Sequence, residues 1–219
     1  MARPASASSG VTVPVTVVLA TRNRGKVREL EALLEGLAVW VRTLDDYPHV
    51  PVLPEDGGTF EENAIGKAVS VARLTGEIAL ADDSGLEVDA LGGAPGVASA
   101  TFLGPAATDD DRNRWVLSRL RGLDAGLRTA RYRAVIAVAL PDGSVRTFEG
   151  TCEGRIAEQP CGHHGFGYDP IFFVPAYGRT MAELPPEIKN RISHRALALA
   201  AARPYLVALI EAARGADAD

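Results

Sequence analysis

The sequence predicts an α/β fold, and three features predict it. A β-branched run at residues 15–20 passes through a polar loop into Val27, Leu30, Leu33, Leu34 and Leu37, which recur at helical spacing. A second helix opens at Thr59, and two extended runs face each other across the turn Pro141-Asp142-Gly143. Strands therefore alternate with helices early in the chain and pair directly later. With 219 residues, 47% of them hydrophobic, the chain can build one large domain or two lobes around a real core.

Charge and cysteine content narrow the partners. A balance of 23 Lys plus Arg against 28 Asp plus Glu, net −5, argues against binding a nucleic-acid backbone, so no nucleic-acid partner is expected. A small anionic ligand needs only local positive charge, part of which a divalent cation can supply. Cys152 and Cys161 are too few for a disulfide framework, which points to a reducing compartment and a cytoplasmic protein, although one bridge between them remains possible. No apolar run reaches membrane-span length, so no membrane association is expected. Residues 11–20 could pass for a signal-peptide core, but they are β-branched, broken by Pro14 and continuous with the polar loop, so they read as a first strand. Residues 1–14 are expected to be a disordered leader, 15–214 the folded domain and 215–219 a frayed tail.

The first loop, Thr21-Arg22-Asn23-Arg24-Gly25-Lys26, brings N–H groups, a hydroxyl, an amide, a glycine and a lysine to a helix N-terminus, where the dipole favours an anion. It reads as a phosphate cradle, without the Walker pattern or the three-glycine dinucleotide fingerprint. A second strand follows at 38–44, then a loop at 45–58 with Pro48, Pro51 and Pro54 that carries Glu55. Thr59 and Glu62 form a capping box for a helix ending near Gly76. Thr59, Asn63 and Lys67 share one face of it, and Ala64, Ala68, Val71 and Ala72 supply the apolar side.

The stretch Ala81-Asp82-Asp83-Ser84-Gly85-Leu86 places two carboxylates at the end of a strand at 78–81, before a predicted Ser84-Gly85 turn and a resumed strand at 86–88. Successive strand residues face opposite ways, so one Asp can meet a ligand while the other holds a neighbouring group. Hard oxygen donors without His or Cys favour Mg²⁺, or Mn²⁺, over zinc. The plainer alternative is an Asp-rich turn bonding its own backbone.

Residues 91–100 imply tight backbone packing around Gly92, Gly93 and Gly96. Thr108 and three aspartates start a helix to about residue 120, the acids acting as cap and dipole partners. The hairpin strands cover 131–140 and 144–151, with 154–157 continuing the sheet. Gly165-Phe166-Gly167-Tyr168-Asp169-Pro170 combines close-approach glycines with an aromatic able to stack on a planar ligand, ahead of a strand at 171–174. Cys161 and His163 complete no ligand set with zinc spacing. Ser193 caps a final helix whose first turn holds His194 and Arg195, basic residues that oppose the helix dipole unless something anionic meets them. Pro204 should kink or split that helix.

In this order, the 21–26 loop, Thr59-Phe60-Glu61-Glu62-Asn63-Ala64, Ala81-Asp82-Asp83-Ser84-Gly85-Leu86, Gly92-Gly93-Ala94-Pro95-Gly96, Gly165-Phe166-Gly167-Tyr168-Asp169-Pro170 and Ser193-His194-Arg195 resemble one family, the inosine triphosphate pyrophosphatases, over residues 15–209. The resemblance implies an elongated mixed β-sheet flanked by helices, two lobes with a nucleotide cleft between them, and a homodimer. It implies Mg²⁺-dependent hydrolysis of dITP, ITP or XTP to monophosphate and pyrophosphate. By that likeness Thr21, Arg22, Asn23, Arg24, Gly25 and Lys26 hold phosphates, with Asn63 and Lys67 approaching them. Asp83 binds the metal with Glu55 and accepts the proton of the attacking water, and Ser84 touches substrate. Phe166, Gly167, Tyr168, Asp169, Lys189, His194 and Arg195 take the base. Independently of the likeness, cationic donors at Lys189, His194 and Arg195 would reward a 6-oxo purine over adenine, and excluding guanine requires rejecting its 2-amino group. Two positions depart from the family pattern: Arg22 replaces a small or polar residue, and His163-His164 replace small ones. The alternatives are a Maf-like pyrophosphatase acting on other nucleotides and a catalytically silent nucleotide-binding regulator.

Overall fold

The structure, a computed structural model, describes residues 14–216. Expectations for residues 1–13 and 217–219 lie outside the described residues. Among the described residues, seven strands form one sheet in the order β2-β1-β3-β4-β5-β6-β7. Strands β1 (Val15–Leu19), β2 (Val39–Thr43) and β3 (Ile78–Val88) run parallel, linked by α1 (Arg24–Leu34) and α2 (Phe60–Thr75). From β3 onward the pairing is antiparallel through β4 (Thr129–Ala139), β5 (Val145–Ile156), β6 (Phe172–Val174) and β7 (Arg179–Thr180). Helices α3 (Asp109–Arg119), α4 (Pro186–Ile192) and α5 (His194–Ala216) complete the fold, which is α/β with a mixed sheet, as expected.

Alternation along the central strands sorts side chains to two sides. Val18, Ala20, Ala79, Ala81, Val135 and Ala137 pack with the α2 residues Phe60, Ala64, Ala68 and Val71. Their neighbours Val17, Leu19, Leu80, Ala134 and Ile136 pack with Leu30 and Leu34 of α1 and with Ala198, Leu199, Ala202 and Leu206 of α5. A third cluster, including Leu86, Val116, Leu120, Tyr132, Ile171 and Phe172, closes the far end.

Four local expectations are corrected. Ser84-Gly85 is not a turn: β3 is continuous, and Ser84 and Gly85 pair with Ala134 and Arg133 of β4. Gly85 is required by close approach, because a Cβ there would lie 2.4 Å from both Gly96 O and Ser99 Oγ. Conversely, Gly92, Gly93 and Gly96 have open space where a Cβ would stand; their positive φ of 64°, 89° and 55° is what selects glycine. At the start of α2, Thr59 accepts from the Glu62 N–H at 3.1 Å, but the Glu62 side chain turns to Gly58 N at 2.8 Å, so the box is only half formed. Finally, α5 runs through Pro204 without splitting, since Pro204 and Ala200, whose carbonyl loses its partner, both sit on the exposed face. Among the described residues it ends at Ala216.

By length and composition α5 could pass as a membrane span, a point the run-length reading of the sequence missed. One of its faces nevertheless lies in the core with β4 and β5.

Candidate active site

The N-terminus of α1 opens onto a cleft of about 700 Å³, a size suited to a small-molecule ligand. Asn23 caps the helix by accepting from Gly25 N at 2.9 Å and Lys26 N at 3.1 Å. Of the expected cradle, Thr21, Arg22, Asn23 and Lys26 line the cleft, whereas Arg24 is exposed and Gly25 is buried beneath the Phe166 ring. Arg22 reaches across to the carbonyl of Val50 at 2.8 Å, tying the loop to the root of the proline-rich segment.

Strand β3 delivers its two carboxylates to opposite sides. Asp82 continues the Leu80 row and is fully buried, pairing with Lys26 at 2.8 Å and Arg195 at 3.1 Å and accepting from Ser84 Oγ at 3.1 Å. Burial works against its charge, but Arg195 and Lys26 outweigh burial and hold the carboxyl well below the usual range. Asp82 is therefore a structural anion. Asp83 continues the Ala81 row toward α2 and lines the cleft. Its two oxygens accept from Lys67 Nζ and Asn63 Nδ2, each at 3.1 Å. Burial raises its pKa despite the opposing pull of Lys67 and Lys26. Asn63 is buried away from the cleft lining, so it holds Asp83 and, through its carbonyl, Gly57 N at 2.8 Å. The predicted stripe of Thr59, Asn63 and Lys67 is real, and its last two members face a carboxylate.

Glu55 meets the same ammonium, Lys67 Nζ, at 2.6 Å. Two carboxylates thus converge on one ammonium. No His or Cys takes part, and the donors are carboxylate oxygens, so this set fits a hard divalent cation. Among the described residues no three His, Cys, Asp or Glu side chains converge on one point, so such an ion would draw its remaining ligands from water and phosphate.

At the other end of the cleft, Phe166 lies over the cations of Lys189, 5.1 Å from the ring centre, and Arg195, 5.7 Å away. Lys189 pairs with Asp169 and, at 2.7 Å, with Glu29, which also pairs with Arg195. Burial opposes the Lys189 charge, yet Asp169 and Glu29 raise its pKa. Asp169 additionally accepts from Phe166 N at 3.0 Å and Tyr132 OH at 3.2 Å. Tyr168 is buried and donates its hydroxyl to Ser99 O at 3.0 Å.

The reading of Lys189, His194 and Arg195 as three cationic donors is corrected here. Lys189 and Arg195 are already matched by Glu29, Asp82 and Asp169. His194 is buried and stacked on Tyr132 (4.6 Å, 14°), and burial followed by repulsion from Arg195 lowers its pKa well below the usual value, so it is neutral. On this wall His194 Nδ1 and Arg195 Nε are buried without a partner among the described residues.

Sequence reasoning missed two residues whose contacts shape this wall, Glu29 and Tyr132, and two on α3, Asp109 and Asn113, that bond the backbone of Gly167. Glu29 stands three residues after Lys26 on α1 and so shares its face, a signal that was readable. The others act through chain segments far away in sequence.

A dITP/XTP pyrophosphatase from Desulforamulus reducens is 53% identical over 190 residues, covering 87% of this chain and 94% of the relative. Another dITP/XTP pyrophosphatase, from Geobacter sulfurreducens, is 51% identical over 87% of this chain and 96% of its own length. The solved structure of a HAM1 protein from Coxiella burnetii superposes with a TM-score of 0.80 at 44% identity, covering 88% of this chain and 98% of that one. The Ham1 family model matches residues 17–205, and the chain belongs to the Ham1 family.

Proposed function

We propose that this chain hydrolyses dITP, ITP and XTP to the monophosphate and pyrophosphate; relatives named dITP/XTP pyrophosphatase support the dITP and XTP part of that reading. The observation that carries the reading is Asp83, a cleft-lining carboxylate with a raised pKa, held by Lys67 and Asn63 opposite the 21–26 loop.

In this reading Thr21, Asn23 and Lys26 bind the phosphates, Lys26 moving its charge between Asp82 and the substrate. Asp83 takes the proton of a water that attacks the innermost phosphorus; the new P–O bond forms as the bond to pyrophosphate breaks. Glu55 and Asp83 would hold Mg²⁺, or Mn²⁺, which when bound supplies charge neutralisation at the phosphate oxygens and a more acidic water. Phe166 stacks on the purine, and the guanidinium of Arg195, which lines the cleft, donates to a 6-oxo group. An adenine amino group would leave that donor unpaired, which is the basis for discrimination.

We read the chain as one domain of two lobes about the cleft, acting as a homodimer in the cytoplasm. The free thiols of Cys152 and Cys161 and the net charge of −5 support a reducing compartment and no nucleic-acid partner.

A panel of ITP, dITP, XTP, GTP and ATP, assayed for pyrophosphate with and without Mg²⁺, tests the reading. The first three should dominate and need the metal; equal turnover of ATP would overturn it, and GTP turnover near that of ITP would remove the 2-amino exclusion. Asp83→Asn should lose about 10³-fold in kcat with the fold preserved.

A further inference from the structure

The loop carrying Phe166 is exposed from His163 to Gly165, so something must fix its aromatic ring. Two side chains one turn apart on α3 grip a single residue of that loop at both of its polar backbone atoms. Asp109 Oδ2 accepts from Gly167 N at 2.9 Å, and Asn113 Nδ2 donates to Gly167 O at 3.0 Å. Gly167 adopts φ +64°, immediately after Phe166, and lines the cleft beside it. The grip is itself anchored. Asn113 is buried, and Arg112 donates to Asp109 at 3.3 Å while its Nε reaches Phe102 O at 3.0 Å.

We infer that Asp109 and Asn113 are positioning residues for base recognition: α3 sets where the Phe166 ring stands and thereby how tightly a purine is stacked. The inference rests on the proposed role of Phe166 as the stacking wall. Neither side chain needs to touch the base, and neither bonds to Asp83 or Glu55, whose partners are Lys67 and Asn63, so the phosphate end should not feel their loss. Asp109 opens α3, but the reciprocal Thr108–Asp111 capping box is independent of it and should keep the helix formed when Asp109 is changed.

The test uses the full-length enzyme with Asn113→Ala, Asp109→Ala and the conservative Asp109→Asn, which keeps an acceptor oxygen. With ITP and Mg²⁺, the alanine variants should raise KM about tenfold, in line with one lost hydrogen bond to a buried partner. Their kcat should stay near wild type, the inhibition constant of inorganic tripolyphosphate should not move, and Asp109→Asn should restore KM. A fall in kcat at unchanged KM, a joint rise of KM and the tripolyphosphate constant, or no change at all overturns the inference. Hydrogen exchange of residues 162–168 in the ligand-free protein is read in parallel and should accelerate in both alanine variants. Unchanged exchange overturns the grip whatever the enzyme turns over, whereas a wild type inert toward ITP refutes the proposed function.

Discussion

Asp82 and Asp83 are sequence neighbours that the strand turns to different ends. One is locked between two cations and stays charged, while the other faces the cleft with its pKa raised by burial. Lys67 is the obvious control on Asp83, since its ammonium pulls the carboxyl pKa downward against burial. Lys67→Met should therefore move the acid limb of the kcat/KM profile to higher pH, which a pH–rate series with ITP would read; a limb unmoved or shifted down would contradict the role. His194 offers a stability readout. Its folded pKa lies below the unfolded one, so the unfolded chain takes up the proton first, and the stability held by the neutral ring is lost as pH falls below about 6.5. His194→Phe should retain a ring against Tyr132 and show a smaller drop in Tm between pH 7.5 and 5.5 than wild type.

Among the elements, β3 is the one on which the site depends, and it is also where the residues were hardest to read. Helix starts at Thr59, Thr108 and Ser193 were legible because a cap acts within three residues of itself. The β4–β5 hairpin was legible from alternation and its turn. Ser84-Gly85 was misread because a glycine needed for a turn and one needed for close approach look alike in sequence; Gly96 and Ser99, which decide the matter, are more than ten residues away. The carboxylate partners of Lys189 and Arg195 were hidden for the same reason, as Glu29 lies on α1 and Asp82 on β3. Gly85→Ala should cost about 1–3 kcal/mol in urea unfolding, because the added methyl group meets Gly96 O and Ser99 Oγ within the packed strand. Wild-type stability in that variant would mean the 96–99 turn gives way easily.

At the scale of the molecule, the cleft draws on α1, β3, the 51–58 loop, the 97–101 turn, the aromatic loop and the start of α5. A ligand that bridges so many segments should stabilise them together. For Asp83→Asn, whose slowed turnover spares the ligand, ITP at a hundredfold over the variant's own Kd with Mg²⁺ should add about 2.7 kcal/mol, visible as a rise in Tm. Chelating the metal should reduce that rise, and a Tm indifferent to nucleotide would argue against the cleft as the binding site.

The way β3 sends consecutive side chains to opposite sides also sets a rule for its tolerance to length change. Adding or deleting one residue between Ile78 and Asp82, with the upstream part of β3 held in place so that the downstream pairing to β4 slips by one, would point residue 82 at α2 and residue 83 at Lys26 and Arg195. The reactive acid and the buried anchor would trade places, and the protein would be left with its proton acceptor sealed inside.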